Sequence, residues 1–293
     1  MFECAMLQRP DFQVLHEPMG DAWYFGSERV SKRYSAEVCA KDFAQYSTST
    51  FKKVRIYFAP GYTVVKEIDA VQTWEGIIKP ADGSKRVFSK DMAQYIFPLP
   101  SSSIDSVPSF GPSGNPTLIP TEVLLDPDIQ QTFLIRTPEK AVPSYHRLCY
   151  PGSETGFEYW DPGEAGYREL RLLFDFLRSH GRAPVILESA ELLAHAPEVM
   201  KSWCESAGIE FNGKMLQWDE GPREHFKKWT GFTAAVENSQ GIGKGVKEEY
   251  KTQCNYALNG KGSSPPDLPE GVRKCIADNM ADYNYLLSFV KRI

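Results

Sequence analysis

An α/β fold with a mostly parallel sheet is what this sequence predicts, and three observations predict it. Short β-favouring runs recur at residues 12–17, 84–92, 131–137 and 183–188. Helical patterning or a helix-starting signal follows each of them. Strands alternating with helices give a three-layer sandwich, with helices covering a sheet built from these four strands. The 293 residues suffice for one full core with an appendage. The expected division is an α/β domain over 1–235 and a loop with a C-terminal helical extension over 236–293.

The elements follow from local chemistry. Residues 2–9 read as the tail of a helix, ended by Pro10. Residues 12–17 form a strand that Pro18 stops, and 21–34 begin as an aromatic-rich loop. Helical patterning returns at 36–46; 51–57 is ambiguous, and 63–73 reads as another helix. Residues 84–92 are the second strand, running into a helix through Tyr95. The proline-, serine- and glycine-rich stretch 99–120 is a connector. Residues 131–137 are an apolar run closed by Thr137-Pro138, with a helix expected over 139–148 and Pro138 near its first turn. Residues 164–178 are amphipathic, with Tyr167, Leu170, Phe174 and Leu177 on one stripe and Gly181 as the cap. The fourth strand is 183–188, after which Pro197 opens a helix. The glycine-rich 239–245 lacks a preceding strand and reads as a turn rather than a nucleotide loop. Residues 268–293 form a closing helix with Val272, Ile276, Met280, Tyr283 and Leu287 along one face.

Composition excludes several classes. A net charge of −5 without a basic tail argues against nucleic-acid binding. No run of about 18 apolar residues suggests a membrane span. The start, with Glu3 and no basic region, is unlike a signal peptide. The six cysteines are scattered with no zinc spacing, so reduced thiols, a cytoplasmic location and no metal are expected.

Arg136 stands at the carboxyl end of a strand, where open α/β sheets bind ligands, and Ser144 lies on the next helix. A guanidinium there can grip a phosphate and a hydroxyl can add a neutral donor. The bland reading has Arg136 capping the sheet. The R-x-P…S spacing, together with His16-Glu17-Pro18 and Ser89-Lys90-Asp91-Met92, resembles the sulfotransferase-like family of the P-loop fold over roughly residues 1–235. The resemblance implies sulfuryl transfer from 3′-phosphoadenosine 5′-phosphosulfate (PAPS), or binding of its desulfated product PAP, with the hydroxyl of a small molecule, such as a secondary metabolite, as acceptor and partner. It assigns Arg136 and Ser144 to the nucleotide's 3′-phosphate and Glu17 to the base, with His16 as second candidate. Lys90 would stabilise charge, and Trp23, Tyr24, Phe25 and Trp229 would face the acceptor. A homodimer is the assembly considered. The family's opening strand and its P-R-S-x-S-T phosphate loop are missing here, as is its histidine near Lys90. A cyclase or isomerase working without a nucleotide, or a non-catalytic ligand binder, are the alternatives. Structurally, Glu17 can close a turn or pair with Arg29 or Arg33, Lys90 can pair with Asp91 or a helix carboxylate, and the aromatics can simply pack.

Overall fold

The computed structural model of the chain describes residues 1–47, 49, 57–58, 63–64, 85–98, 114–244 and 268–291. Most of the expected helix over 63–73 and of the connector over 99–120 lie outside the described residues. The architecture is α/β, with short two-stranded sheets among many helices. The described residues fall into two compact units, each built from non-consecutive segments. One comprises Arg9–Ile129 and Leu172–Arg182; the other comprises Met1–Gln8, Gln130–Arg171 and Ala183–Ile293.

In the first unit, β1 (Phe12–His16) pairs in parallel with a later strand, after a short antiparallel pair of β2 (Tyr57–Phe58) and β3 (Thr63–Val64). Residues 63–64 are thus extended, in keeping with two β-branched side chains. The partner of β1 is β4 (Arg86–Lys90), in the register Phe12↔Arg86 to His16↔Lys90. Pro18 opens the helix Pro18–Tyr24 immediately after β1, because its missing N–H is no loss at a helix start. The helix Ala36–Asp42 begins at Ser35, whose hydroxyl accepts the Val38 N–H at 3.3 Å. Phe25 stacks on Phe43 with ring centroids 4.1 Å apart. Gly26 is obligatory here, since a Cβ would lie 2.1 Å from the Ser49 carbonyl oxygen. Gly181 takes φ 77 and lets Arg182 N–H reach back to Leu177 C=O at 3.0 Å, the expected cap of the helix Tyr167–Ser179.

In the second unit, β5 (Thr132–Ile135) pairs in parallel with β6 (Val185–Glu188), in the register Thr132↔Val185 to Ile135↔Glu188. The helix Pro138–His146 follows β5 with Pro138 in its first turn, as its sequence requires. It packs on the helix Glu270–Leu287 through Val142, Val272, Cys275 and Ile276, with Trp160, Leu268 and Met280 around them. The helix Ala196–Ser206 is pinned to β5 by Trp203, whose indole N–H donates to Thr132 Oγ1 at 2.9 Å. The glycine-rich segment is a packed turn. Trp218 N–H meets Gln240 C=O at 3.2 Å, and a Cβ on Gly241 would lie 2.4 Å from Leu216 C=O. No described helix is long and apolar enough to cross a membrane.

Leu286 is fully buried on the last helix. Leu286→Ala should lower stability by about 2–5 kcal/mol in urea unfolding, the cost of lost burial plus a cavity. A loss below about 0.5 kcal/mol would show that this helix adds little to the core.

Candidate functional site

Strands β1 and β4 end side by side. The Glu17 N–H extends their ladder by donating to Lys90 C=O at 2.7 Å. The chain then passes from strand to helix within one residue. To do so Glu17 adopts φ 47 and ψ 53, the one positive φ among the described non-glycine residues. Such a conformation costs an L-residue about 1–2 kcal/mol, and strain of this kind clusters at functional sites. The turn buries Glu17, 6% exposed, and brings its carboxylate against the Lys90 ammonium. Tyr95 donates its hydroxyl to Glu17 Oε2 at 3.4 Å, and Met92 Sδ lies 3.3 Å from Lys90 Nζ. The Lys90 side chain is 34% exposed, so the pair opens to solvent on the lysine side.

The helix start beside this pair is occupied. Met19 N–H donates to both carboxylate oxygens of Asp91, at 3.3 and 3.4 Å. That amide and its helix end would otherwise attract an anion. Below the pair lies an aromatic floor. The rings of Trp23 and Tyr24 lie 5.5 and 5.4 Å from that of Tyr95, and both residues are 1% exposed. Phe25, 3% exposed, continues this packing. His16 ends β1 in register with Lys90 and is half-buried.

The remaining candidates belong to the second unit. Arg136 follows β5, one residue past the Ile135↔Glu188 pair, and its carbonyl accepts the Tyr167 hydroxyl at 2.5 Å. Ser144 is half-buried on the helix Pro138–His146. Trp229 is interior, edge-on to Phe157 at 6.2 Å, with Lys228 Nζ 5.4 Å from its ring centre. Glu188 closes β6 and accepts N–H bonds from Ala190 at 2.6 Å and Glu191 at 3.0 Å. It caps the helix Ser189–Ala194. Burial pushes the Tyr167 hydroxyl well above its ordinary value, against the pull of the Arg136 charge. Burial raises Tyr283 to about 12, with the charges of Glu188 and Glu139 and a hydrogen bond to Glu188 adding to it. Burial likewise raises Cys275 to about 11.

Three pairings had no signal in the sequence. Tyr95 reaches Glu17 across 78 positions and Lys90 across 73, and nothing local to either residue points to the other. Asp91 stands in the motif Ser89-Lys90-Asp91-Met92, yet its partner, Met19 N–H, lies 72 positions away.

No family model matches the chain, and no solved structure does. Over 218 residues it is 25% identical to "Branched-chain-amino-acid aminotransferase-like protein 2" of Arabidopsis thaliana, covering 74% of this chain and 29% of that protein. The chain therefore spans less than a third of the relative it matches. This finding overturns the sulfotransferase resemblance, and with it sulfuryl transfer from PAPS as the function. The physical reason is visible in the site. The motifs that suggested the family report strand ends and helix starts, which many α/β proteins share. At Met19 the anion on the helix start is the chain's own Asp91.

The raised groups of the second unit fix the sign of a pH effect. A group whose folded pKa lies above its unfolded value stabilises the fold fully below the unfolded value, and that contribution is lost as pH rises. Stability should hold up to about pH 9, the unfolded range of a thiol, then fall as Cys275 and Tyr283 pass about 11 and about 12. Tyr283→Phe should flatten the part of the fall above pH 10 in denaturant titrations. An unchanged profile in that variant would remove Tyr283 from the account.

Proposed function

We propose that this chain is one module of an aminotransferase-like protein, and that its Lys90–Glu17 pair holds the headgroup of a branched-chain α-amino acid or the matching 2-oxo acid. The carrying observation is the pairing of a partly exposed ammonium with a buried carboxylate at the joined ends of two parallel strands. A zwitterionic amino acid presents the complementary charges. Its carboxylate can take the Lys90 ammonium and its ammonium the Glu17 carboxylate, each as a charge-assisted hydrogen bond. The 2-oxo acid retains only the first of these contacts. The ligand class comes from the name of the Arabidopsis relative, and the chain's share of that protein limits the proposal to binding.

Amino transfer in enzymes runs on pyridoxal phosphate, whose aldehyde joins a lysine and whose phosphate needs a cradle of donors. The described residues around Lys90 do not fit that group. The helix amide of Met19 is taken by Asp91, and the ammonium is already paired with the Glu17 carboxylate. A phosphate there would meet like charge, so no step through this cofactor is assigned to the site. The buried free thiols Cys4, Cys39, Cys149, Cys204 and Cys275 support a reducing, cytoplasmic setting. The parallel pairing within each unit supports a layered α/β arrangement with helices covering the strands.

Titration calorimetry with leucine and with its 2-oxo acid tests the reading on wild type, Lys90→Met and Glu17→Gln. Lys90→Met should weaken both ligands by about tenfold or more, and Glu17→Gln should weaken leucine far more than the oxo acid. Heat that is absent from the wild type, or equal affinities in all three proteins, would refute the site.

A further inference from the structure

Strand β6 has two edges, and β5 covers one of them. Val185 N–H donates to Gln131 C=O at 3.0 Å. In a parallel ladder, residues that bond the neighbour alternate with residues whose backbone groups point away. Val185 and Leu187 therefore serve β5, and the N–H and C=O of Ile186 point to the opposite edge. Among the described residues no backbone group meets them. Residues 184–188 line a cleft of about 200 Å³, walled by Val199, Ser202 and Trp203 of the helix Ala196–Ser206 and by Phe289 and Lys291. Ile186 is 4% exposed, so this edge is recessed, whereas Phe289 is 38% exposed at the cleft's wall.

We infer that this cleft takes an extended peptide from a partner protein, which adds to β6 as a further strand. Three observations choose that occupant. The backbone donor and acceptor of Ile186 are spaced for a strand, and an unpaired edge is a template for strand addition. The cleft is smaller than the ~300–1,000 Å³ of typical small-molecule pockets, but a strand needs a slot rather than a chamber. The edge is flanked by the helix Ala196–Ser206 and the segment 289–291, where a lone strand needs less room than the edge of a folded sheet with its neighbouring strands and helices, including that of a second copy. The walls define the peptide's chemistry. Val199, Trp203 and Phe289 favour alternate apolar, β-branched side chains, and exposed Glu191 and Lys291 in the lining favour flanking residues of both signs of charge.

Fluorescence polarisation on the full chain tests this with a labelled hexapeptide of alternating valine and threonine flanked by a lysine and a glutamate. Two analogues carry N-methyl groups on one or the other alternate set of residues. A strand pairs through one edge only, so one analogue should bind about tenfold or more weaker and the other like the parent. Equal binding of the two analogues, or no binding of the parent, overturns the inference. Ile186→Pro removes the outward donor while leaving the β5 ladder intact, as proline can at an edge, and should also weaken the parent peptide. Should that variant fail to fold, the analogues decide alone. A dimer in sedimentation that the peptide does not dissociate and Ile186→Pro abolishes would overturn the peptide in favour of a second copy.

Discussion

The Glu17 N–H bond to Lys90 C=O is the constraint on which the first unit's candidate site depends. It extends the parallel register by one residue and fixes the two strand ends side by side. Glu17 must then turn into the helix Pro18–Tyr24 at once, because Pro18 follows it. The left-handed backbone at Glu17 is the consequence, and it sends the carboxylate inward beneath the Lys90 ammonium. A buried carboxylate is costly without a partner, and the lysine with the Tyr95 hydroxyl supplies two. Local strain and a long-range ion pair are therefore parts of one arrangement.

Both units solve the same problem at a strand-to-helix junction in the same way. A helix start leaves N–H groups unpaired and carries partial positive charge. In the first unit Asp91 accepts the Met19 N–H from the end of the neighbouring strand. In the second, Glu188 accepts two N–H groups of the helix that follows it. Intramolecular carboxylates thus stand where a bound anion would stand in a phosphate-binding protein. Neither of these helix starts therefore offers the capped N–H groups to a phosphate.

The second unit has a different balance. Its two short strands are covered by the helices Ala196–Ser206 and Glu270–Leu287. Buried tyrosines tie helices to strand ends, Tyr167 at the Arg136 carbonyl and Tyr283 at Glu188. Their hydroxyls stay protonated because burial disfavours the charged form. The outer edge of β6 at Ile186 is the exception in this packing, since among the described residues no backbone group meets it.

The sequence by itself determined what depends on near neighbours. The run ending in Thr137-Pro138 is a strand followed by a proline-started helix, Gly181 caps the helix before it, and Glu188 closes a strand. Side-chain alternation, the fixed φ of proline and the freedom of glycine act over a few residues, so each was legible without the fold. The chemistry was not. Glu17 and Lys90 were each legible as candidates, but their partnership spans 73 positions and rests on the register of β1 and β4. Arg136 and Ser144 suggested a phosphate site from their place after a strand and from their spacing, which record where the strand ends and not which charged groups meet there. Only the tertiary structure decided which charged groups meet. Register and burial set those distances, and a carboxylate's partner is chosen by the free energy of leaving water, which local sequence does not encode.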